Sequence, residues 1–156
     1  MSQVIKIDRL AIIGVGLIGG SFALALKQAG AVREVLGVGR SATNLALAQQ
    51  HGLIDRAVDV AEAGQADCIL LAMPVGETAA VLTQLVPHLK AGAVVTDAGS
   101  TKANVIAAAQ TALGARFSDF VPGHPIAGSE CNGPLAARVD LFQARKVVLT
   151  PTPETR

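Results

Sequence analysis

Three glycines and one histidine are the residues of this chain whose types and spacing could do chemistry. Gly14-Val15-Gly16-Leu17-Ile18-Gly19 follows the apolar run Arg9–Ile13 and opens a helical pattern. A glycine loop that leads into a helix presents unpaired N–H groups and the positive end of the helix dipole, which together suit an anionic phosphate. The first glycine permits a tight turn, the second lets backbone approach a pyrophosphate, and the third lets helix and strand pack closely. Much further along, Gly123-His124-Pro125-Ile126-Ala127-Gly128-Ser129-Glu130 sets an imidazole before a proline. That position biases His124 towards extended backbone, on a loop rather than a helix face. Imidazole titrates near neutrality and can take a proton from a reacting hydroxyl. Read alone, a histidine such as His124 is more often a hydrogen-bonded structural residue than a base, and His51 and His88, near predicted helix ends, keep that structural reading.

The glycine loop in its strand-to-helix context implies a dinucleotide, with Gly14, Gly16, Leu17, Ile18 and Gly19 at its pyrophosphate. An NAD site carries an Asp or Glu about 20 residues after the loop, at the end of the second strand, to accept bonds from the ribose hydroxyls. Here that position is Gly39, followed by Arg40 and Ser41. No carboxylate stands where it would repel a 2′-phosphate, and a guanidinium stands where it could pair with one. This favours NADP over NAD, although Arg40 as a solvated loop cation keeps NAD or dual use open. Met73 and Pro74 follow another strand and are expected against the cofactor. The turn Asp97-Ala98-Gly99-Ser100-Thr101-Lys102 follows the next strand; Thr101 suits a helix cap, and Ser100 a cap or a place facing the nicotinamide.

The elements that must position these residues are legible as alternating patterns. Short apolar runs at Arg9–Ile13, Glu34–Val38, Asp67–Ala72 and Ala93–Asp97, with a weaker one at Arg56–Val60, read as strands buried on both faces. Helical periodicity covers Gly19–Ala29, Thr43–Gln50, Thr78–Leu89 and Thr101–Leu113. This alternation predicts an α/β fold of the Rossmann type, a doubly wound, mostly parallel sheet with helices on both faces. After Phe120-Val121 a loop is expected as far as Pro134, then a last strand at Lys146–Thr150. Thr152-Pro153-Glu154 has the cap hydroxyl, proline and acid of a helix start, so a longer natural protein cut at this point is expected, with residues 1–156 forming one domain.

Composition narrows the classes. The chain has 156 residues, 51% apolar content, formal charge +1, four Phe and no Trp or Tyr, which argues against a basic or aromatic nucleic-acid surface. Cys68 and Cys131 lack metal-ligand spacing and a disulfide framework, so no metal is expected, Cys68 reads as core, and a cytoplasmic setting fits. The uncharged stretch from Leu10 to Leu26 is short for a membrane span and broken by glycines, so no membrane association is expected.

The order of motifs, Gly14-x-Gly16-x-x-Gly19-Gly20, then Asp97-x-Gly99-Ser100-x-Lys102, then Gly123-His124-Pro125-Ile126-Ala127-Gly128-Ser129-Glu130, closely resembles the prephenate and arogenate dehydrogenases of tyrosine biosynthesis. The resemblance covers essentially the whole chain and is most specific at the histidine loop. It implies oxidative decarboxylation of prephenate or arogenate, with hydride transfer to NAD(P). By this resemblance His124 is the catalytic histidine that takes the proton of the ring hydroxyl, Ser100 orients it, and Glu130 is a substrate-binding or gating residue at the pocket mouth. It also implies a C-terminal helical domain, absent from this chain, that forms most of a homodimer interface and supplies the substrate's cationic partners. Arg138, Arg145 and Lys146 are therefore read as surface cations, and this chain is expected to bind cofactor but to turn over little substrate. Alternatives are another dehydrogenase, of the β-hydroxy-acid or imine-reductase type, or a dinucleotide-sensing module without catalysis.

Overall fold

In the computed structural model, residues 6–126 and 133–155 are described. Six strands, β1 (Ile7–Ile13), β2 (Val32–Val38), β3 (Arg56–Ala57), β4 (Cys68–Leu71), β5 (Val94–Asp97) and β6 (Phe120–Val121), form one sheet in the order β3-β2-β1-β4-β5-β6. Every pairing in it is parallel, with Ile13 opposite Val38 on one side and Leu71 on the other, and Leu71 opposite Asp97. This is the expected doubly wound architecture. Its order reverses between β1 and β4, and in such sheets the crevice at the carboxyl ends beside that reversal binds ligands.

The apolar runs form strands because both faces are covered. Ala11, Ile13, Ile69, Leu71, Val95 and Phe120 face a layer that contains α4 (Thr78–Leu85) and α5 (Lys102–Leu113). The alternate residues Leu10, Ile12, Val35 and Leu70 face α1 (Leu17–Gln28) and α2 (Ala42–Gln50). Period-two alternation thus feeds two apolar layers instead of one.

Several elements are shorter than the sequence suggests. The run from Arg56 pairs only through Ala57, because Asp59 accepts the Glu62 N–H at 2.9 Å and starts the one-turn helix α3 (Val60–Ala63). The helix at Thr78 leaves α-geometry after Leu85 and ends as a tighter turn over Val86–His88. Pro87 explains this, since it lacks an N–H and its ring crowds the preceding turn. At the other end of the chain Thr152 begins a turn, with its N–H donated to Thr155 Oγ1 at 2.9 Å, and no helix follows among the described residues.

The stretch after Val121 departs most from expectation. His124 does not lie on a loop: β7 (Gly123–Pro125) pairs antiparallel with β8 (Val147–Leu149), His124 opposite Val148. Bonds beyond both ends extend this ribbon, Ile126 N–H to the Lys146 carbonyl at 2.7 Å and Thr150 N–H to the Pro122 carbonyl at 3.0 Å. Proline is compatible with such a short, two-stranded edge. The segment between the strands is tied to α1: the Arg138 N–H donates to the buried Ser21 Oγ at 2.9 Å, and Phe142 meets Phe22 edge-on with centroids 6.3 Å apart. Among the described residues no helix is long and apolar enough to cross a membrane.

Candidate functional site

The glycine loop sits at the reversal of strand order, at the carboxyl end of β1. The Gly14 N–H donates to the Val38 carbonyl at 2.9 Å, and the Ala72 N–H donates to the Ile13 carbonyl at 2.7 Å, so the loop is stitched to the ends of β2 and β4. Gly14 has φ +98°, and a Cβ there would stand 2.6 Å from the Ala72 carbonyl oxygen. A Cβ on Gly19 would stand 2.5 Å from the Gly14 carbonyl oxygen and 2.6 Å from Ile12 Cγ2. Among the described residues no atom would come within 4 Å of a Cβ on Gly16. The outer glycines therefore serve turn and packing, while the middle one faces open space.

That open space adjoins the start of α1. Gly16 is the N-cap and has no side chain to satisfy the first-turn donors, and no acid stands in the first turn. The N–H of Gly20 already donates to the Gly16 carbonyl at 2.9 Å, which leaves the backbone donors of Leu17, Ile18 and Gly19 at the helix head. Such a head suits an anion. These features fit a dinucleotide's pyrophosphate by shape and by donor chemistry.

Beside the end of β2 an open groove of about 650 Å³ is lined by Val38, Gly39, Val58, Asp59, Gln84 and His88, among others. Gly39, Arg40 and Ser41 are all exposed at this rim. Ser41 caps α2, accepting the Asn44 N–H at 3.1 Å, which occupies one lone pair and leaves its hydroxyl proton able to donate. The Arg40 guanidinium is paired with Glu77, a partner that sequence reasoning did not single out. Met73 is partly buried against the sheet core, and Pro74 is exposed beyond it.

The second half of the site lies at the carboxyl end of β5. Asp97, only 4% exposed, accepts the Gly123 N–H on Oδ1 at 3.0 Å and the Gly99 N–H on Oδ2 at 3.0 Å. Lys102 pairs with the same carboxylate and also donates to the Gly123 carbonyl at 2.6 Å. One ion pair thus holds the N–H and the carbonyl of Gly123, the residue before His124. A Cβ on Gly123 would stand 3.0 Å from the Asp97 carbonyl oxygen, so β7 starts directly against the end of β5.

The clamp fixes Gly123, the neighbour of the partly buried His124, to Asp97 and Lys102, which flank the exposed Ser100 in sequence. Thr101 occupies the N-cap position of α5, with no capping bond from its side chain. Asp97 and Lys102 stood in the motif as sequence, but their joint role depends on a contact to Gly123 that spacing does not reveal. Next to the ribbon an apolar chamber of about 330 Å³ lies between α1 and the ends of β4 and β5, lined by residues including Ile18, Phe22, Ala98, Pro125 and Phe142.

Among the other candidates, Glu130 and Cys131 lie outside the described residues. Arg138, Arg145 and Lys146 are exposed, and Arg138 faces Asp140 at 3.6 Å. Cys68 sits in β4, partly buried against the core, where burial pushes its thiol up to about 11, so it is neutral at physiological pH.

Comparison with known proteins agrees with this architecture. A family model described as "Prephenate dehydrogenase, nucleotide-binding domain" matches residues 22–156. A prephenate dehydrogenase of Lactococcus lactis subsp. cremoris is 40% identical over 144 residues, covering 91% of this chain and 40% of that protein. Among solved structures, a prephenate dehydrogenase from A. aeolicus, in complex with hydroxyphenyl propionate and NAD+, superposes with a TM-score of 0.90 at 32% identity, covering 99% of this chain and 54% of that one. An arogenate dehydrogenase from Synechocystis superposes with a TM-score of 0.85 at 33% identity, covering 95% and 51%. The chain therefore spans about half the length, or less, of these relatives. The family match begins beyond the glycine loop, but the A. aeolicus superposition takes in nearly the whole chain.

Proposed function

The chain belongs to the prephenate dehydrogenase nucleotide-binding domain family, and from that premise we propose that it is the NADP-binding, proton-accepting half of a dehydrogenase that oxidatively decarboxylates prephenate or arogenate. The observation that carries this reading is the clamp of Asp97 and Lys102 on Gly123. It ties Gly123, the residue before His124, to the carboxyl end of β5, at the same sheet edge as the uncapped head of α1, which supports a catalytic place for His124.

When bound, a nicotinamide dinucleotide supplies the hydride acceptor. The chain's own residues do the rest. Leu17, Ile18 and Gly19 offer backbone N–H groups to the pyrophosphate, and Gly16 leaves room for it. Arg40 and the Ser41 hydroxyl offer donors to a 2′-phosphate at the end of β2, while Gly39 presents no carboxylate against it. Met73 and Pro74 flank the cofactor from the end of β4.

His124 accepts the proton of the substrate's ring hydroxyl, and Ser100 holds that hydroxyl and the imidazole in register. Positioned base catalysis of this kind is worth roughly 10²–10⁴-fold. Glu130 contacts or gates the substrate side chain. Anchoring of the anionic substrate belongs to the part of the relatives' length that this chain does not span, as does the pairing of two copies into a homodimer; a cytoplasmic setting completes the proposal.

The test follows reduced-cofactor absorbance with prephenate and with arogenate, using a protein in which this domain is joined to the remaining length of its relatives. His124→Asn abolishes turnover and leaves dinucleotide affinity within about two-fold. A His124→Asn variant that keeps parental turnover contradicts the assignment, and one that loses dinucleotide binding makes His124 structural.

A further inference from the structure

β2 and β4 flank β1 on either side, so the loops at their carboxyl ends form the two banks of the crevice over the glycine loop. Arg40 stands on one bank, immediately after β2. Glu77 stands on the other, at the end of the turn Val75–Glu77 that follows β4. Their side chains are paired, so an ion pair spans the crevice at its adenosine side. The two partners are unequally held. The Arg40 side chain is 84% exposed and swings from a loop, whereas that of Glu77 is 24% exposed and its N–H is fixed to the Pro74 carbonyl at 2.9 Å. Glu77 is also the N-cap residue of α4, where the helix dipole favours negative charge.

We infer that Glu77 is the residue that restrains the choice between NADP and NAD: its carboxylate occupies the Arg40 guanidinium and stands in for the 2′-phosphate that the guanidinium would otherwise bind. This deepens the reading above and rests on Arg40 being the 2′-phosphate ligand. A 2′-phosphate must displace Glu77 from Arg40 and also meets its negative charge. A plain ribose hydroxyl does neither, so it gains little from the removal of Glu77. The pair therefore narrows the NADP preference that Gly39 and Arg40 alone would set.

The experiment is calorimetric titration of NADP and NAD into this chain and into its Glu77→Gln, Arg40→Ala and doubly substituted variants, in one buffer at low salt. An exposed ion pair is worth little, so Glu77→Gln raises NADP affinity on the order of three- to five-fold, while NAD affinity moves by less than about two-fold. In the Arg40→Ala background the same substitution raises the ratio of NADP to NAD affinity clearly less than in the parent, because only the direct repulsion between Glu77 and the 2′-phosphate is then relieved. An unchanged ratio in the Glu77→Gln variant overturns the inference, and so does an equal rise with Arg40 removed. The Arg40→Ala variant by itself reports on the underlying reading: if its NADP affinity equals the parent's, Arg40 is not the phosphate ligand, and that failure is distinct from silence at Glu77. Circular dichroism of each variant confirms the fold before titration.

Discussion

Replacing Lys102 by methionine removes the cation from the clamp and leaves the Asp97 carboxylate in place, 4% exposed, with the Gly99 and Gly123 N–H groups as its remaining donors among the described residues. Lys102 is itself largely covered, its side chain 16% exposed. Breaking a buried pair by deleting one partner costs roughly 3–5 kcal/mol, because the remaining charge stays desolvated. A domain of this size has a total stability of about 5–15 kcal/mol, so the loss is large. With a urea slope of about 2 kcal/mol/M, the unfolding midpoint falls by roughly 1.5–2.5 M. Asp97→Asn costs somewhat less, since the flexible Lys102 stem can carry its ammonium towards water. The double variant, Asp97→Asn with Lys102→Met, is more stable than the sum of the single losses predicts, because no uncompensated charge is left. Urea titration followed by far-UV circular dichroism measures all three, and amide exchange at Gly123 reports whether β7 has loosened from β5. A Lys102→Met variant within about 1 kcal/mol of the parent, or strict additivity in the double variant, refutes the reasoning.

Other outcomes follow from neighbouring features. Gly19→Ala pushes a Cβ to 2.5 Å from the Gly14 carbonyl oxygen and 2.6 Å from Ile12 Cγ2; overpacking of this kind costs about 1–3 kcal/mol, and thermal unfolding together with dinucleotide titration should show a loss in both, parental values in both being the contrary result. The Asp67 carboxyl is held below its ordinary 3.8 by the Lys90 ammonium and then by the Arg9 N–H. Its folded pKa lies under the unfolded one, so its contribution is present above about pH 4 and fades as pH falls through the folded value. Between pH 5 and 3 the parent's urea midpoint should therefore drop more steeply than that of Asp67→Asn, and parallel curves would remove Asp67 from the account. Cys68, with its thiol pushed up to about 11, should react with a thiol reagent at pH 8 only after unfolding, in a Cys131→Ser background; rapid labelling of the native protein would contradict its burial.

Much of this fold could be read from the sequence because its strands are covered on both faces. Runs such as Leu10–Ile13 and Ile69–Leu71 are apolar at consecutive positions, and each pairs where the alternation with helices implies. The glycine loop was legible for a similar reason: Gly14 and Gly19 are fixed by local sterics that only glycine meets. Boundaries were harder where one residue competes with a periodic pattern. Asp59 capped a new turn where a strand was expected to run on, and Pro87 ended an α-helix early. The ribbon of Gly123–Pro125 with Val147–Leu149 was hidden because a Pro- and Gly-rich stretch reads as a loop, and its partner lies more than twenty residues away. The bonds from Asp97 and Lys102 to Gly123, and from Arg40 to Glu77, are likewise contacts across the fold. No local spacing encodes them, although the motif around Ser100 already contained two of the residues.

Calorimetric titration of the unmodified chain with NADP and with NAD, side by side, tests the central claim most directly. The account predicts saturable one-to-one binding of both, with NADP tighter because Arg40 and Ser41 meet a 2′-phosphate where Gly39 offers no carboxylate. Tighter binding of NAD would contradict the role given to Arg40, and binding of neither by the folded chain would contradict the glycine loop at the head of α1 as a dinucleotide site.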